Sequence, residues 1–297
     1  MSSGMKKALT NEVKNTAIRL GADLVGITDP ASLDGSPDGH PSPFRILPQA
    51  RSVVVVARRM PYGALEIPHP PFDGPIDELE VVNGGVSVAS YMTMFFNLQH
   101  LVFDLAYFIE KTGYIAVPVS PSHGRDEKRW VGTISLRKAA EQAGLGEFGR
   151  HMLIITPQYG PRVFFAAVIT SAALEIDGPQ TGRQGCEGCA VCNAARRCPV
   201  HAINETGEGF NRLRCVWGAS WGLYKGSGGQ QPPEDWMKCN SIAEAVQLVP
   251  KYRQMYPDID YYMQLSTKYM GYQNCNECLV HCVKGKQSSK EMFYAQS

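Results

Sequence analysis

The sequence predicts an α+β chain in two parts, with strands interspersed with helices over about residues 1–175 and a cysteine-rich domain over 176–297. Three observations carry this reading. Apolar residues in the first part alternate between helical spacing and continuous β-branched runs. Eight of the nine cysteines read as two ligand sets: two tight groups, 186–198 and 275–282, with Cys215 alone between them. A long stretch, about 216–274, separates those groups and reads as an insertion.

The elements follow in order. Residues 8–22 carry Val13, Ala17, Ile18 and Leu20 on one side of a helix, and Asp23–Thr28 reads as a strand closed by Asp29-Pro30. A Pro/Gly/Ser-rich loop spans 30–43. Val53-Val54-Val55-Val56, within Ser52–Ala57, suits a buried strand. The proline-rich stretch 61–78 must be an extended loop. Residues 88–111 place Val88, Met92, Phe95, Val102, Leu105 and Ile109 at helical spacing, with Gly113 as the stop. Tyr114–Val119 is the next strand and 135–143 a further helix. Met152–Thr156 and Val163–Thr170 read as a hairpin around Pro157–Pro161. The insertion reads as helical from about 241 to 270.

The cysteines are spaced Cys186-x2-Cys189-x2-Cys192-x5-Cys198-Pro199, then Cys215 alone, then Cys275-x2-Cys278-x3-Cys282. Three thiolates three residues apart can wrap one corner of a [4Fe–4S] cube, and the fourth cysteine of such a run serves the other cube. That rule assigns Cys186, Cys189, Cys192 and Cys282 to a first cube and Cys198, Cys215, Cys275 and Cys278 to a second. Cys239 is left over. The gap before Cys198 is two residues longer than in ferredoxins, so Ala194–Arg197 should bulge as a loop. Alternatives are one cube plus zinc, or vestigial thiols; the spacing is too tight for a cystine framework.

Composition narrows the class. A hydrophobic content of 44% is ordinary for a globular chain, and a formal net charge of +1 makes a nucleic-acid partner an unlikely expectation. No apolar stretch approaches the roughly 18–20 residues that span a bilayer. Met1–Lys7 lacks a twin-arginine pair and a hydrophobic leader, which points to the cytoplasm.

Several motifs compete with plainer readings. Gly144-Leu145-Gly146-Glu147-Phe148-Gly149 matches G-x-G-x-x-G, yet it follows a helix and precedes a strand, the reverse of a dinucleotide site. Its favoured reading is a helix end whose backbone comes close to something flat. Asp38-Gly39-His40 ends in Pro43 where a cobalt-binding D-x-H-x-x-G has glycine, and is read as a surface loop. His100 is read as packed or solvated, and His201 and His281 flank the cysteines. Tyr91 is either a core tyrosine or a proton donor. Arg162, after Gly160-Pro161, is either a solvated turn residue or a pocket cation.

The segment AGLGEFGRHMLIITPQYGPRVFFAAVIT at 143–170, followed 16 positions later by the first cysteine run, resembles the reductive dehalogenase family, which is related to epoxyqueuosine reductase. Residues 20–27 and the Gly113-Tyr114 strand entry resemble it too. The resemblance implies a nitroreductase-like α/β domain binding base-off cobalamin, followed by a ferredoxin-like domain with two [4Fe–4S] clusters. It implies that Gly144, Gly146, Gly149, Arg150 and His151 bind cofactor. Electrons would pass from an external donor such as ferredoxin or flavodoxin through the clusters, reducing cobalt to Co(I), which cleaves the carbon–halogen bond of an organohalide. Tyr91 would supply the proton with Arg162 as supporting cation, and Arg150 or Lys128 as rivals.

Departures from that family's pattern are Val283 after the last cysteine, where proline is common, and the large insertion after Cys215. Related epoxide-reducing enzymes carry an aspartate before the Ala-Gly-Leu-Gly turn; Arg129–Thr133 has no carboxylate, and Asp126 is out of register. The reading is therefore a cobalamin-dependent reductive dehalogenase. The alternatives are an epoxyqueuosine-reductase-like enzyme acting on tRNA and a corrinoid-reducing electron-transfer protein.

Overall fold

The computed structural model describes residues 2–35, 39–61, 63, 93–121, 131–179, 185–187, 189–206, 209–268, 275 and 277–285. Helix α1 (Ser3–Arg19) starts at the Ser2 cap and leads into β1 (Leu24–Thr28). A 3-10 turn (Pro30–Leu33), short α2 (Pro43–Ile46) and β2 (Ser52–Arg59) follow. Next come α3 (Thr93–Lys111), β3 (Ala116–Val119), α4 (Leu136–Gln142), β4 (Glu147–Phe148), β5 (Ile154–Ile155) and β6 (Val163–Thr170).

Strands β1, β2, β6 and β3, in that order, form one antiparallel sheet. Both faces are covered, which is why β2 and β6 are apolar along nearly their whole length instead of alternating. Val54 and Val56 of β2 and Ala166 and Val168 of β6 face α1 and α3, where Leu98, Leu101, Leu105 and Ile109 meet them. Val53, Val55, Ala167 and Ile169 face the other way, onto Ala139, Ala140 and Ala143 at α4. Each fully buried Val, Leu or Ile contributes about 1.5–3 kcal/mol of apolar transfer.

The expected hairpin of 152–156 with 163–170 does not form. Ile154–Ile155 pairs with Glu147–Phe148, and β6 lies between β2 and β3. A strand buried on both faces belongs in the interior of the large sheet, and the shorter β5 takes the partner beside it in sequence. The segment between them is a tight turn in which the amides and carbonyls of Thr156 and Gly160 exchange two 2.9 Å hydrogen bonds.

The cysteine-rich part is built from short helices: α5 (Asn193–Arg196), α6 (Arg212–Ala219), α7 (Leu223–Gly226), α8 (Glu234–Met237), α9 (Ile242–Val246), α10 (Val249–Met255), α11 (Asp258–Lys268) and α12 (Glu277–His281). The stretch expected to be helical over about 241–270 is helical in three pieces. Pro250 and Pro257 each lack an amide donor, so each sits at a helix start rather than inside one. The insertion has its own core of Trp217, Trp236 and Tyr252, with ring centroids 5.1–6.1 Å apart and edge-on. Both indoles donate to carbonyls, Trp217 to Gln230 and Trp236 to Leu213. Among the described residues no helix is long and apolar enough to cross a membrane.

Candidate metal centre

The cysteine loops are shaped by local hydrogen bonds. The Cys189 amide donates to the Cys186 carbonyl, closing the first Cys-x2-Cys turn. Cys192 sits at the start of α5, and its carbonyl accepts from Ala195 and Arg196. The five residues before Cys198 are therefore not a bulging loop. They wind into a helical turn because Ala194 and Ala195 are buried with Ile203, where Cys192, Cys198 and Cys278 pack against them. Cys215 lies on α6, whose first turn is capped by the Asn211 side chain. Cys278 lies on α12 and Cys282 just beyond it, its amide donating to the Cys278 carbonyl.

Electrostatic coupling shows which thiols share a neighbourhood. Burial raises the Cys282 thiol first of all, and Cys186 and Cys192 raise it further. Burial likewise pushes Cys278 up to about 12, with Cys215 and Cys198 adding to it. Cys215 rises to about 11 through burial and Cys198, and Cys275 rises well above the usual thiol range through burial and Cys278. Cys282 thus lies within electrostatic reach of Cys186 and Cys192, some 90 residues earlier, and Cys198 and Cys278 lie within reach of both Cys215 and Cys275. Protonated as free thiols, such groups would bind metal with proton release.

Donors already point at sulfur. The Arg150 amide donates to the Cys186 Sγ and the Ala202 amide to the Cys198 Sγ, each at 3.2 Å. Among the described residues no three His, Cys, Asp or Glu side chains are placed to hold one metal ion. Thiolates on a cube stand at separate irons and are farther apart than four ligands on one zinc. Half-buried Cys186, Cys192, Cys198, Cys215, Cys275 and Cys278, buried Cys282, and amide donors on two of the sulfurs suit that larger object.

The Gly144–His151 stretch reaches the first group. Gly144, with φ +72°, ends α4: its amide donates to Glu141 and that of Leu145 to Ala140, the Schellman pattern. At Gly146 an added Cβ would lie 2.5 Å from the Ile155 carbonyl oxygen, and at Gly149 2.7 Å from the His151 ring. These glycines bring the backbone close to β5 and to His151, inside the protein itself. The Glu147 carboxylate accepts from the Gly185 amide at 3.1 Å, and Arg150 Nη1 donates to the Glu205 carbonyl. The turn is thereby fastened to the loop that carries Cys186.

His151 is 4% exposed. Its Nδ1 accepts from the Leu153 amide, which puts the ring proton on Nε2, and Nε2 has no partner. Burial, and then the nearby Arg162 charge, lower its pKa to about 4, so the ring stays neutral. This buried open donor is the described feature that suits a further bound group such as a corrin. A cavity of about 220 Å³ beside it in sequence, lined by Leu24, Val25, Ala143, Gly144, Leu145, Gln158 and Asp177, is below the size of even a drug-sized pocket.

The remaining candidates fall as follows. Arg162, expected beside a proton donor, is 2% exposed and turns its guanidinium to the carbonyls of Tyr159, Cys282 and Lys284. No sequence signal marks those partners, since two of them lie about 120 residues later. Tyr91, Lys128, Asp126 and Asp38 lie outside the described residues. His100 and His201 are exposed, and His281 pairs with the buried Glu277 at 3.2 Å, which also meets Arg197 at 3.5 Å. Cys239 donates its thiol to the Asp235 carbonyl and packs into the insertion core.

No family model matches the chain. A tetrachloroethene reductive dehalogenase of Desulfitobacterium hafniense is 35% identical over 134 residues, 43% of this chain and 22% of the relative. An epoxyqueuosine reductase of Bacillus subtilis is 36% identical over 86 residues, 29% of this chain and 21% of the relative. A crystal structure of a selenomethionine-labelled epoxyqueuosine reductase superposes over 95% of this chain and 66% of its own, with a TM-score of 0.57 at 20% identity. The matched stretches thus span about a fifth of each sequence relative. Both named relatives are reductases: over less than half its length the chain is similar in sequence to a reductive dehalogenase and to an epoxyqueuosine reductase, and its fold is that of the latter.

Proposed function

We propose that this chain is a corrinoid iron–sulfur oxidoreductase whose reaction is reductive dehalogenation. The observation that carries the reading is the fastening of the Gly144–His151 turn to the first cysteine group, through the Arg150 amide on Cys186 and Glu147 on Gly185. The dehalogenase relative supports the substrate class, an organohalide. In this reading residues 1–175 form a nitroreductase-like cobalamin-binding domain and 176–297 a ferredoxin-like domain with its insertion. When bound, two [4Fe–4S] cubes supply electrons singly and base-off cobalamin supplies the centre at which a carbon–halogen bond breaks.

The chain's own residues do the rest. Cys186, Cys189, Cys192 and Cys282 hold one cube, and Cys198, Cys215, Cys275 and Cys278 the other. Gly144, Gly146 and Gly149 shape the turn, and Arg150 and His151 offer donors from it. The overall change consumes two electrons and one proton, replaces halogen by hydrogen and releases halide. Tyr91 provides that proton. A tyrosine near pKa 10 needs a neighbouring cation to stabilise its anion, and Arg150 or Lys128 is assigned that place, since the guanidinium of Arg162 is committed elsewhere. Electrons come from an external donor such as ferredoxin or flavodoxin in the cytoplasm.

The test is anaerobic reconstitution followed by halide release from aromatic, alkenyl and alkyl halides. About eight irons and one cobalamin should bind. Tyr91→Phe should abolish halide release with cofactor spectra unchanged, and surviving turnover would remove the donor assignment. The fold likeness favours one second reading, an epoxyqueuosine-reductase-like enzyme with a tRNA partner. Turnover of an epoxide-bearing RNA stem loop, with no halide release from any halide, would replace the first reading by the second.

A further inference from the structure

The segment that follows the last cysteine is clamped to the first domain at one point, and the clamp is a buried charge. Arg162 Nη1 donates to the Lys284 carbonyl at 2.7 Å and to the Tyr159 carbonyl at 3.3 Å, while Nη2 donates to the Cys282 carbonyl. Arg162's own carbonyl accepts from Met60 at 2.9 Å, which anchors the arginine to the β2–β6 edge. Around it the backbones touch. An added Cβ on Gly160 would sit 2.0 Å from the Lys284 carbonyl oxygen, and one on Gly285 would sit 2.1 Å from the Gly160 amide nitrogen. The Lys284 ammonium then reaches the Glu187 carbonyl at 2.6 Å, one residue past Cys186. The guanidinium is always cationic near neutral pH, and three carbonyls satisfy its donors without neutralising it. No carboxylate is paired with it by a salt bridge among the described residues.

We propose that Arg162 is a positioning residue for the first cube: it places Cys282 against Cys186, Cys189 and Cys192, and its uncompensated charge makes that cube easier to reduce than it would otherwise be. The proposal rests on the reading that the eight cysteines hold two cubes. A fixed positive charge in a low-dielectric setting favours the more negative, reduced state of a neighbouring cluster, and its effect fades with distance. The second cube, which no Arg162 contact reaches, keeps its potential.

The experiment is a redox titration of anaerobically reconstituted full-length protein, followed by electron paramagnetic resonance. The Cys215→Ser variant, holding the first cube alone, identifies its signal. Arg162→Gln should keep eight irons and move the first cube to a more negative potential. Its reduced-to-oxidised ratio at a fixed potential should fall at least tenfold, which is 59 mV for one electron. Arg162→Lys should move the same cube in the same direction by less, because an ammonium keeps the charge but cannot span the carbonyls. Loss of the first cube alone from Arg162→Gln also supports the positioning role. An unmoved first cube in the variants, equal shifts in both cubes, or loss of the second cube overturns the proposal. Wild-type protein that never binds eight irons fails the cluster reading instead, before any variant is compared.

Discussion

Replacing Gly160 by alanine separates two costs that the structure places at one residue. The first is conformational: Gly160 has φ +58°, a left-handed backbone that costs a residue with a Cβ about 1–2 kcal/mol. The second is steric, because the new methyl would lie 2.0 Å from the Lys284 carbonyl oxygen, a backbone atom held by Arg162. Overpacking of this kind costs about 1–3 kcal/mol. Gly35 supplies the control, with φ +61° and nothing within 4 Å of its virtual Cβ. Gly35→Ala should therefore lose about 1–2 kcal/mol, and Gly160→Ala about 2–5 kcal/mol. Urea unfolding of reconstituted protein under argon, followed by tryptophan fluorescence, measures the difference. The steric part should also weaken iron retention at the first cube, since Lys284 cannot move without Cys282. If the two variants lose the same stability to within about 0.5 kcal/mol, the close contact of the two backbones is wrong, and the clamp with it.

Three further outcomes follow from the same contacts. Trp217→Ala should destabilise by about 3–5 kcal/mol, because a fully buried indole and its bond to Gln230 are both removed; urea unfolding reads this, and a loss under 1 kcal/mol would refute the aromatic core. Cys215→Ser should bind about four irons in place of eight, by colorimetric assay, with the first cube's signal intact. His151 is lowered to about 4 in the folded chain against 6.5 as a free side chain, so the unfolded chain takes up its proton first. Stability from this residue is full above pH 6.5 and falls by about 1.4 kcal/mol per pH unit down to pH 4. His151→Asn, which keeps an acceptor for Leu153, should flatten that part of the stability–pH curve; an unchanged slope would show that the ring titrates normally.

The layer of the fold that positions the site was legible where burial is two-sided. Val53–Val56 can only be an interior strand, and Gly144 can end a helix in a conformation closed to residues with a Cβ. The insertion's breaks were also in plain view, since Pro250 and Pro257 forbid one helix through 241–270. Other features depend on partners distant in sequence. Ala194 and Ala195 wind into a helix because Ile203 and two cysteine loops close over them, and no local pattern announces that. Arg162 reads locally as a turn residue, and its role is defined by carbonyls at the far end of the chain. The pairing of β5 with β4 turns on Gly146, whose meaning appears only once Ile155 is seen against it.

The two cysteine groups are built by different parts of the chain, and this bears on how they come to be coupled. The first is closed by the N-terminal domain, through Arg150 on Cys186 and Arg162 on Cys282. The second is walled by the insertion, whose core includes Cys198 and Cys215 among its edges. Helix α5 touches both, with Ala194 and Ala195 packed against Cys192, Cys198 and Cys278, and α12 joins them, since it carries Cys278 and leads into Cys282. Because Cys282 completes the first group and comes last, that group cannot close until the insertion lying between Cys215 and Cys275 has been traversed. Closing so long a loop adds only slowly growing entropy, about 0.6 kcal/mol per doubling of length, and the insertion's own aromatic core removes much of that freedom in advance. Cys278 lies on α12, the element that follows the insertion, and Cys282 just beyond it, so in the proposed reading both groups are completed by a single docking of α12 onto α5. Weakening the insertion core should for that reason cost iron at both groups, and not at the second alone.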